Sequence, residues 1–139
     1  ETEPPTAVPP NQTTILVPYG SLFYAAAPVF SEQLPEVKDS TQSAVVILAL
    51  RGQTEVGSTF LKVVARYADQ LHERNSKLML AGVEPYVLTQ MERTGILKTI
   101  GRENIFPVSA GIGAALLQAV DAAEAWIATQ PASRPLSPQ

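Results

Sequence analysis

The sequence predicts an α/β fold, because two apolar β-strand segments are separated by one amphipathic helix. Residues 44–50 form an unbroken apolar run rich in β-branched side chains, and Lys77–Val83 form a second run. Between them, residues 58–74 carry apolar side chains at helical spacing. Strands that are apolar throughout are typical of a parallel sheet covered on both faces. We therefore expect parallel strands joined by right-handed crossovers.

The N-terminal part of the body is predicted to add an antiparallel pair of strands. Residues 13–18 form the first strand, and Pro18 belongs at its end because proline has no N–H for a sheet ladder. Gly20 marks a turn, and residues 21–25 form the second strand of a hairpin. Pro28 then begins a short helix. The expected sheet is therefore mixed, with an N-terminal hairpin plus parallel strands.

The elements after the helix at 58–74 follow from the same two periodicities. A further helix is predicted to begin at Pro85 and to end at Gly95, which suits a left-handed position after a helix. A short helical turn at residues 96–100 and a short strand at 105–108 follow. The final helix is expected at 112–127, with one apolar face. The total is about four to five helices.

Composition indicates one domain with two polar flanks. The chain has 139 residues, 45% of them hydrophobic, which is enough for one core. Prolines are concentrated at both ends, as is typical of extended linkers. We expect a Pro-rich linker at 1–12, the folded domain at 13–129, and a flexible C-terminal tail at 130–139.

Charge and cysteine content exclude several classes of function. Ten Lys and Arg against thirteen Asp and Glu give a net charge of −3, which argues against nucleic acid as a partner. The absence of cysteine excludes disulfides, thiolate nucleophiles and cysteine-ligated metals. No apolar stretch approaches the ~20 residues of a membrane span. Because the chain begins with Glu1 and not Met, we interpret it as a fragment, a processed product or an artificially trimmed chain.

Ser58 and Thr59 are the candidate site residues, as a phosphorylation or anion site. They follow Gly57 where a strand passes into a helix. Exposed N–H groups and the helix dipole favour an anion there, and a phosphate would add about −1.5 to −2 charges. The alternative, purely structural interpretation is that Ser58 caps the helix.

The remaining polar residues do not form a catalytic set. His72, the single histidine, is expected on the surface, without a nucleophile in reach. Gly111 and Gly113 weakly resemble a phosphate-binding loop but lack its third glycine, so they are interpreted as easing the turn into the last helix. Glu55 and Glu84 have no second carboxylate beside them. We therefore expect no catalytic residue, no cofactor and no metal site, and hence a binding or regulatory domain.

Several motifs in order resemble the STAS domain family. They are Val45-Val-Ile-Leu-Ala-Leu50, the turn with Gly57-Ser-Thr59, Lys77-Leu-Met-Leu-Ala-Gly-Val-Glu-Pro85 and Met91-Glu-Arg-Thr-Gly-Ile-Leu97. Two more segments resemble the branch found in sulfate-permease (SulP) anion transporters: Gly20-Ser-Leu-Phe-Tyr-Ala25 and Gly101-Arg-Glu-Asn-Ile-Phe-Pro107. The resemblance covers roughly residues 14–120. It implies a non-catalytic cytosolic STAS domain that regulates or assembles a transporter of sulfate, bicarbonate or a related anion.

The resemblance also implies an alternative function, a stand-alone regulator similar to the anti-sigma factor antagonists and switched by phosphorylation at Ser58. STAS domains commonly carry Asp-Ser-(Ser/Thr)-Gly at this turn. Here the aligned tetrapeptide is Gly57-Ser58-Thr59-Phe60, which keeps the hydroxyl and lacks both the acid and the glycine. This departure favours the transporter branch over the switched regulator.

The resemblance to the transporter branch implies partners and a cellular location for this domain. The main partner would be a transmembrane domain of the same chain, N-terminal to Glu1, and a cytosolic protein or a second copy would be further partners. The location would be the cytoplasmic face of the cell membrane. A small α/β enzyme remains a third class, and it has the weakest support because no nucleophile–base pair is found.

Overall fold

The computed structural model describes residues 6–17, 31–51, 56–109, 111 and 113–131. These residues form four strands and four longer helices in α/β order, which confirms the predicted fold class. The strands are β1 (Thr13–Leu16), β2 (Val45–Ala49), β3 (Lys77–Val83) and β4 (Ile105–Pro107). The helices are α1 (Ser58–His72), α2 (Pro85–Thr94), α3 (Ile96–Ile100) and α4 (Ala114–Thr129), with a 3-10 turn at Arg102–Asn104.

The four described strands form one parallel sheet in the order β1-β2-β3-β4. Val45 of β2 stands opposite both Thr13 of β1 and Lys77 of β3, so the three strands begin at the same level. The predicted strand–helix–strand unit is thus confirmed. The second strand of the expected hairpin, at 21–25, and the start of the helix at Pro28 lie outside the described residues.

The two faces of the sheet are covered unequally. On one face, α1 buries large side chains against β2 and β3, together with Val87 and Met91 of α2 and residues of α3. On the other face, α4 is the one helix of the described residues that packs on the sheet, and its buried side chains are three alanines, Ala115, Ala119 and Ala123. Larger side chains of α4 are only half-buried against that face. The core on the α1 side is therefore much the larger of the two.

The helix boundaries near Pro85 and Gly95 agree with the sequence prediction. Pro85 is the first residue of α2, where its missing N–H has no intrahelical partner to lose. Gly95 ends α2 with a φ of 82°, a left-handed conformation that glycine adopts without a Cβ clash. The chain can therefore turn at once into α3.

The segment before β1 packs against the body. Val8 is buried, its N–H donates to the Glu36 carbonyl at 2.9 Å, and its own carbonyl accepts from the Thr41 hydroxyl at 3.0 Å. Ala7 and Glu36 form a parallel bridge. Part of the segment predicted as a linker at 1–12 thus contributes to the core.

Three strands begin in the same way, with a left-handed residue two positions before the strand. Asn11, Ser43 and Asn75 have φ values of 58°, 51° and 53° and precede β1, β2 and β3. The Asn11 N–H donates to the Gln42 carbonyl, and the Ser43 N–H donates to the Asn75 carbonyl. These bonds link the three strand starts along the N-terminal edge of the sheet. Among the described residues, no helix is long and apolar enough to cross a membrane.

Candidate functional site

The candidate site residues lie at the beginning of α1, above the carboxyl end of β2. Val56 is buried and anchors the turn, and Gly57 is the N-cap residue, with φ −73° and ψ 153°. Ser58 and Thr59 are the first two residues of the helix, and both are exposed. Gly57 supplies the first helical acceptor, because its carbonyl accepts from the Leu61 N–H at 3.1 Å.

Ser58 does not cap the helix. The cap position belongs to Gly57, and no side chain makes a capping hydrogen bond at this end of α1. The first turn of α1 also contains no acidic side chain. The positive end of the helix dipole is therefore not balanced by a carboxylate from its own first turn, a setting in which a bound or covalent anion is stabilised.

The structure separates His72 from this site. His72 is the last residue of α1 and is exposed, whereas Ser58 is the first. At 1.5 Å per residue, the two lie about 20 Å apart along the helix axis. His72 therefore cannot act as a base for either hydroxyl, in agreement with the sequence prediction that it is a surface histidine.

Other predicted features lie at the same carboxyl edge of the sheet. Glu84 follows β3 as the N-cap residue of α2 and makes no side-chain capping bond. Gly113 precedes α4 with a φ of 77°, so the glycine eases the turn into that helix, as predicted. Glu55 lies outside the described residues. Within the described parts of the chain, no group of three or more His, Asp or Glu side chains could hold a metal ion.

A polar cleft of about 580 Å³ lies at the opposite half of α1, where sequence reasoning indicated no site. It is bounded by residues of three segments, namely Thr6, then Ser31, Glu32, Leu34, Pro35, Glu36 and Val37, and finally Tyr67, Gln70, Glu73 and Arg74 in and just after α1. At its base, the Tyr67 hydroxyl donates to the Pro35 carbonyl at 2.6 Å. Burial raises the pKa of Tyr67 well above its usual range, because the phenolate would lose its hydration.

Exposed aliphatic side chains on α4 and along β1 were also not predicted. Leu117 of α4 is 66% exposed, and Ile15 and Val17, in and after β1, are 44% and 38% exposed. The signal in the sequence was the low charge of α4, which has only Asp121 and Glu124 among its sixteen residues. A helix that is apolar on most sides needs more than one packing partner.

Comparisons with known proteins agree with this architecture. The family model of the STAS domain matches residues 4–112, so the chain belongs to the STAS domain family. Comparison with curated proteins gave no match.

Two solved structures resemble the chain in fold. One is a sulfate transporter family protein from Wolinella succinogenes, 20% identical, with a TM-score of 0.66; the alignment covers 88% of this chain and 93% of that protein. The other is the STAS domain of a SulP transporter from Vibrio cholerae, 23% identical, with a TM-score of 0.63 and 89% of each chain covered. Both neighbours therefore carry the same arrangement of strands and helices over most of their length.

Proposed function

We propose that this chain is the non-catalytic cytosolic STAS domain of a SulP-type anion transporter, in which it regulates or assembles the transporter. The observation that carries the proposal is the likeness to two transporter-family structures over nearly the whole domain. The cargo would be sulfate, bicarbonate or a related small anion. The parent's transport site would lie in a transmembrane domain N-terminal to Glu1, and this domain would lie at the cytoplasmic face of the membrane.

The size and location of the native protein test this proposal first. An antibody to the domain should detect, in the membrane fraction of the source cells, a protein several-fold larger than the 14.9 kDa of this chain. A protein of about that mass in the soluble fraction would contradict the proposal and return attention to a stand-alone regulator.

The role of the domain in the parent needs a separate experiment. Sulfate and bicarbonate uptake would be measured for the whole transporter and for a form that ends before this domain, with the amount of each form in the membrane measured in parallel. We expect the shortened form to lose uptake or membrane abundance. Equal uptake at equal abundance would rule out both regulation and assembly.

We further propose Ser58 and Thr59 as an anion or phosphorylation site, since both are exposed in a helix turn without an acidic side chain. The stand-alone switched regulator is not favoured, because both structural neighbours are transporter-family proteins. Replacement Ser58→Asp should raise the free energy of unfolding above that of Ser58→Ala by about 0.5 kcal/mol, and added salt should reduce the difference. Equal stability of the two variants would show that this helix end does not favour an anion.

A further inference from the structure

The N-terminal segment and the segment before β2 form one layer on the body, which we call the strap (residues 6–12 and 35–42). Backbone hydrogen bonds of 2.9 Å join its two halves, and they run from the Val8 N–H to the Glu36 carbonyl, from the Glu36 N–H to the Thr6 carbonyl, and from the Asn11 N–H to the Gln42 carbonyl. The two halves therefore hold each other, although they are far apart in the sequence.

The Thr41 side chain adds a buried link between the halves. Its hydroxyl donates to the Val8 carbonyl at 3.0 Å and accepts from the Lys38 N–H at 3.1 Å. A hydrogen bond in a buried setting is shielded from competition with water, so its loss leaves the partner groups unsatisfied. One hydroxyl thus connects the first half of the strap to the second.

The strap is fastened to the end of α1 that is remote from Ser58. The Tyr67 hydroxyl donates to the Pro35 carbonyl at 2.6 Å. The Asp39 carboxylate pairs with the guanidinium group of Arg74, just beyond α1. The Val8 side chain is buried in the core on the α1 side of the sheet. Any movement of the strap away from the body therefore acts on this end of α1.

The strap contributes less to the core than the strands do. Its buried residues are Val8, Pro35 and Thr41, whereas every residue of β2 is buried. Pro9 and Pro10 have no N–H to donate. Segments that bury few apolar side chains open at a lower free energy than the central strands of a sheet. The strap is therefore the part of this layer that opens most easily.

We propose that the strap opens as one unit while the sheet and helices stay folded, and that its opening breaks the bond from Tyr67 to Pro35. Because the two halves hold each other, they leave the body together. Because Pro35 belongs to the second half, the Tyr67 hydroxyl loses its acceptor in the same step. The strap is thus a conformational device that links the position of the chain at Thr6 to α1.

The opening gives the proposed regulation a physical route. In the proposed transporter, the transmembrane domain lies N-terminal to this chain, so its movements would reach the strap first and α1 next. This consequence rests on the proposed function, whereas the opening is a property of this chain alone. A strap that does not open would therefore leave the transporter assignment unaffected.

Native-state hydrogen exchange of this chain tests the opening. Four strap amides serve as probes, those of Val8, Asn11, Glu36 and Thr41, since each donates a backbone hydrogen bond. We expect these amides to share one opening constant, at least about tenfold larger than that of the amides in β2. Strap amides that exchange as slowly as those of β2, or with four unrelated constants, would overturn the proposal.

The Tyr67→Phe variant tests whether the bond to Pro35 breaks with the strap. If it does, the variant loses a bond that the open form also lacks, and the strap amides should exchange about fivefold faster than in the wild type. If the second half stays on α1 while residues 6–12 detach alone, the strap amides of Tyr67→Phe exchange at the wild-type rate. That result would refute the proposal.

Ile47→Val is the matched control in the sheet. Ile47 is buried on the α4 side and stays buried when the strap opens. The variant should accelerate exchange of the β2 amides about fivefold, through global unfolding, and leave the strap amides unchanged. Equal acceleration of both sets of amides would show that the strap opens only when the whole domain unfolds, and the proposal would be wrong.

Two variants of Thr41 test the link between the halves. Thr41→Val removes both bonds of the hydroxyl and should speed exchange of the strap amides at least about tenfold. Thr41→Ser keeps the hydroxyl and should exchange more slowly than Thr41→Val. Equal exchange rates in the two variants would show that the hydroxyl does not hold the halves together, which contradicts a strap that opens as one unit.

Discussion

Ser43 combines two unfavourable features at a single residue. Its φ of 51° lies in the left-handed region, and its hydroxyl is buried without a hydrogen-bond partner among the described atoms. A side chain in this conformation costs about 1–2 kcal/mol relative to glycine, and a buried hydroxyl without a partner adds to that cost. The hydrogen bond that its N–H donates to the Asn75 carbonyl does not depend on the side chain.

We therefore expect Ser43→Gly to stabilise the protein. The free energy of unfolding should rise by about 1 kcal/mol in urea denaturation, after allowance for the greater freedom of glycine in the unfolded chain. Asn75→Gly is the matched control: its φ is similar, but it loses the side-chain hydrogen bond to Gln130 and should gain less. A destabilised Ser43→Gly variant would show that the hydroxyl has a partner in solution.

The Tyr67 side chain contributes to stability through one buried hydrogen bond. Its hydroxyl joins α1 to the Pro35 carbonyl, a contact between segments 32 residues apart. Tyr67→Phe removes the donor and leaves the carbonyl without it, so the free energy of unfolding should fall by about 1 kcal/mol in urea denaturation. Tyr86→Phe, at an exposed position, should have no effect.

The burial of Tyr67 also predicts that the free energy of unfolding decreases at alkaline pH. Burial raises the pKa of Tyr67 in the folded state, so the folded protein holds this proton more tightly than the unfolded chain does. The associated stability is complete below the usual tyrosine pKa of about 10 and is lost as pH rises through the higher folded value. Urea denaturation at increasing pH should show a steeper loss for the wild type than for Tyr67→Phe; parallel curves would contradict this assignment.

At the scale of elements, α4 depends on small side chains for its approach to the sheet. Ala119 is fully buried against the sheet face that contains Val45, Ile47 and Met79. A larger side chain there has no space unless the helix moves outward. Ala125 is exposed on the same helix and offers a control position with the same helix propensity.

We expect Ala119→Leu to lower the free energy of unfolding by about 1–3 kcal/mol, as is typical of overpacked cores. Ala125→Leu should change it by less than about 0.5 kcal/mol. Trp126, the single tryptophan, lies half-buried on α4 and reports the displacement by its fluorescence. If Ala119→Leu were as stable as Ala125→Leu, α4 would not pack as closely as described.

The elements themselves were largely predictable. The bounds of β3 and of α2 agree with the sequence prediction because their signals are local: an apolar run, a first-turn proline and a glycine at φ 82°. Differences of one or two residues occur at the ends of β2, β4 and α1, where the pattern of apolar residues fades gradually. The capping interpretation of Ser58 was wrong, since the N-cap position is one residue earlier, at Gly57.

At the scale of the whole molecule, the burial of Val8 bears on where the folded domain begins. A free linker would tolerate Val8→Ala without loss, whereas the burial of Val8 in the core predicts a loss of about 2 kcal/mol in the free energy of unfolding. Gln12→Ala, at an exposed side chain of the same segment, should be neutral by the same urea measurement. A neutral Val8→Ala would favour the prediction of a linker at 1–12.

The class of fold, the order of strands and helices along the chain, and the resemblance to the STAS family could all be inferred from the sequence. These depend on periodicity and on short motifs, which are properties of neighbouring residues. The candidate site at Ser58 and Thr59 was located for the same reason, because it lies at one strand-to-helix turn.

The contacts between distant segments became visible in the folded structure and had no signal in the sequence. Three contacts join residues that are far apart in the chain: the packing of Val8 beside Glu36, the hydrogen bond from Tyr67 to Pro35, and the hydrogen bond from Thr13 to Glu124. Local patterns do not specify such pairs, because many distant partners would satisfy the same apolar or polar side chain. A particular partner is specified by the assembled sheet and helices, because their arrangement sets the distance between every two residues.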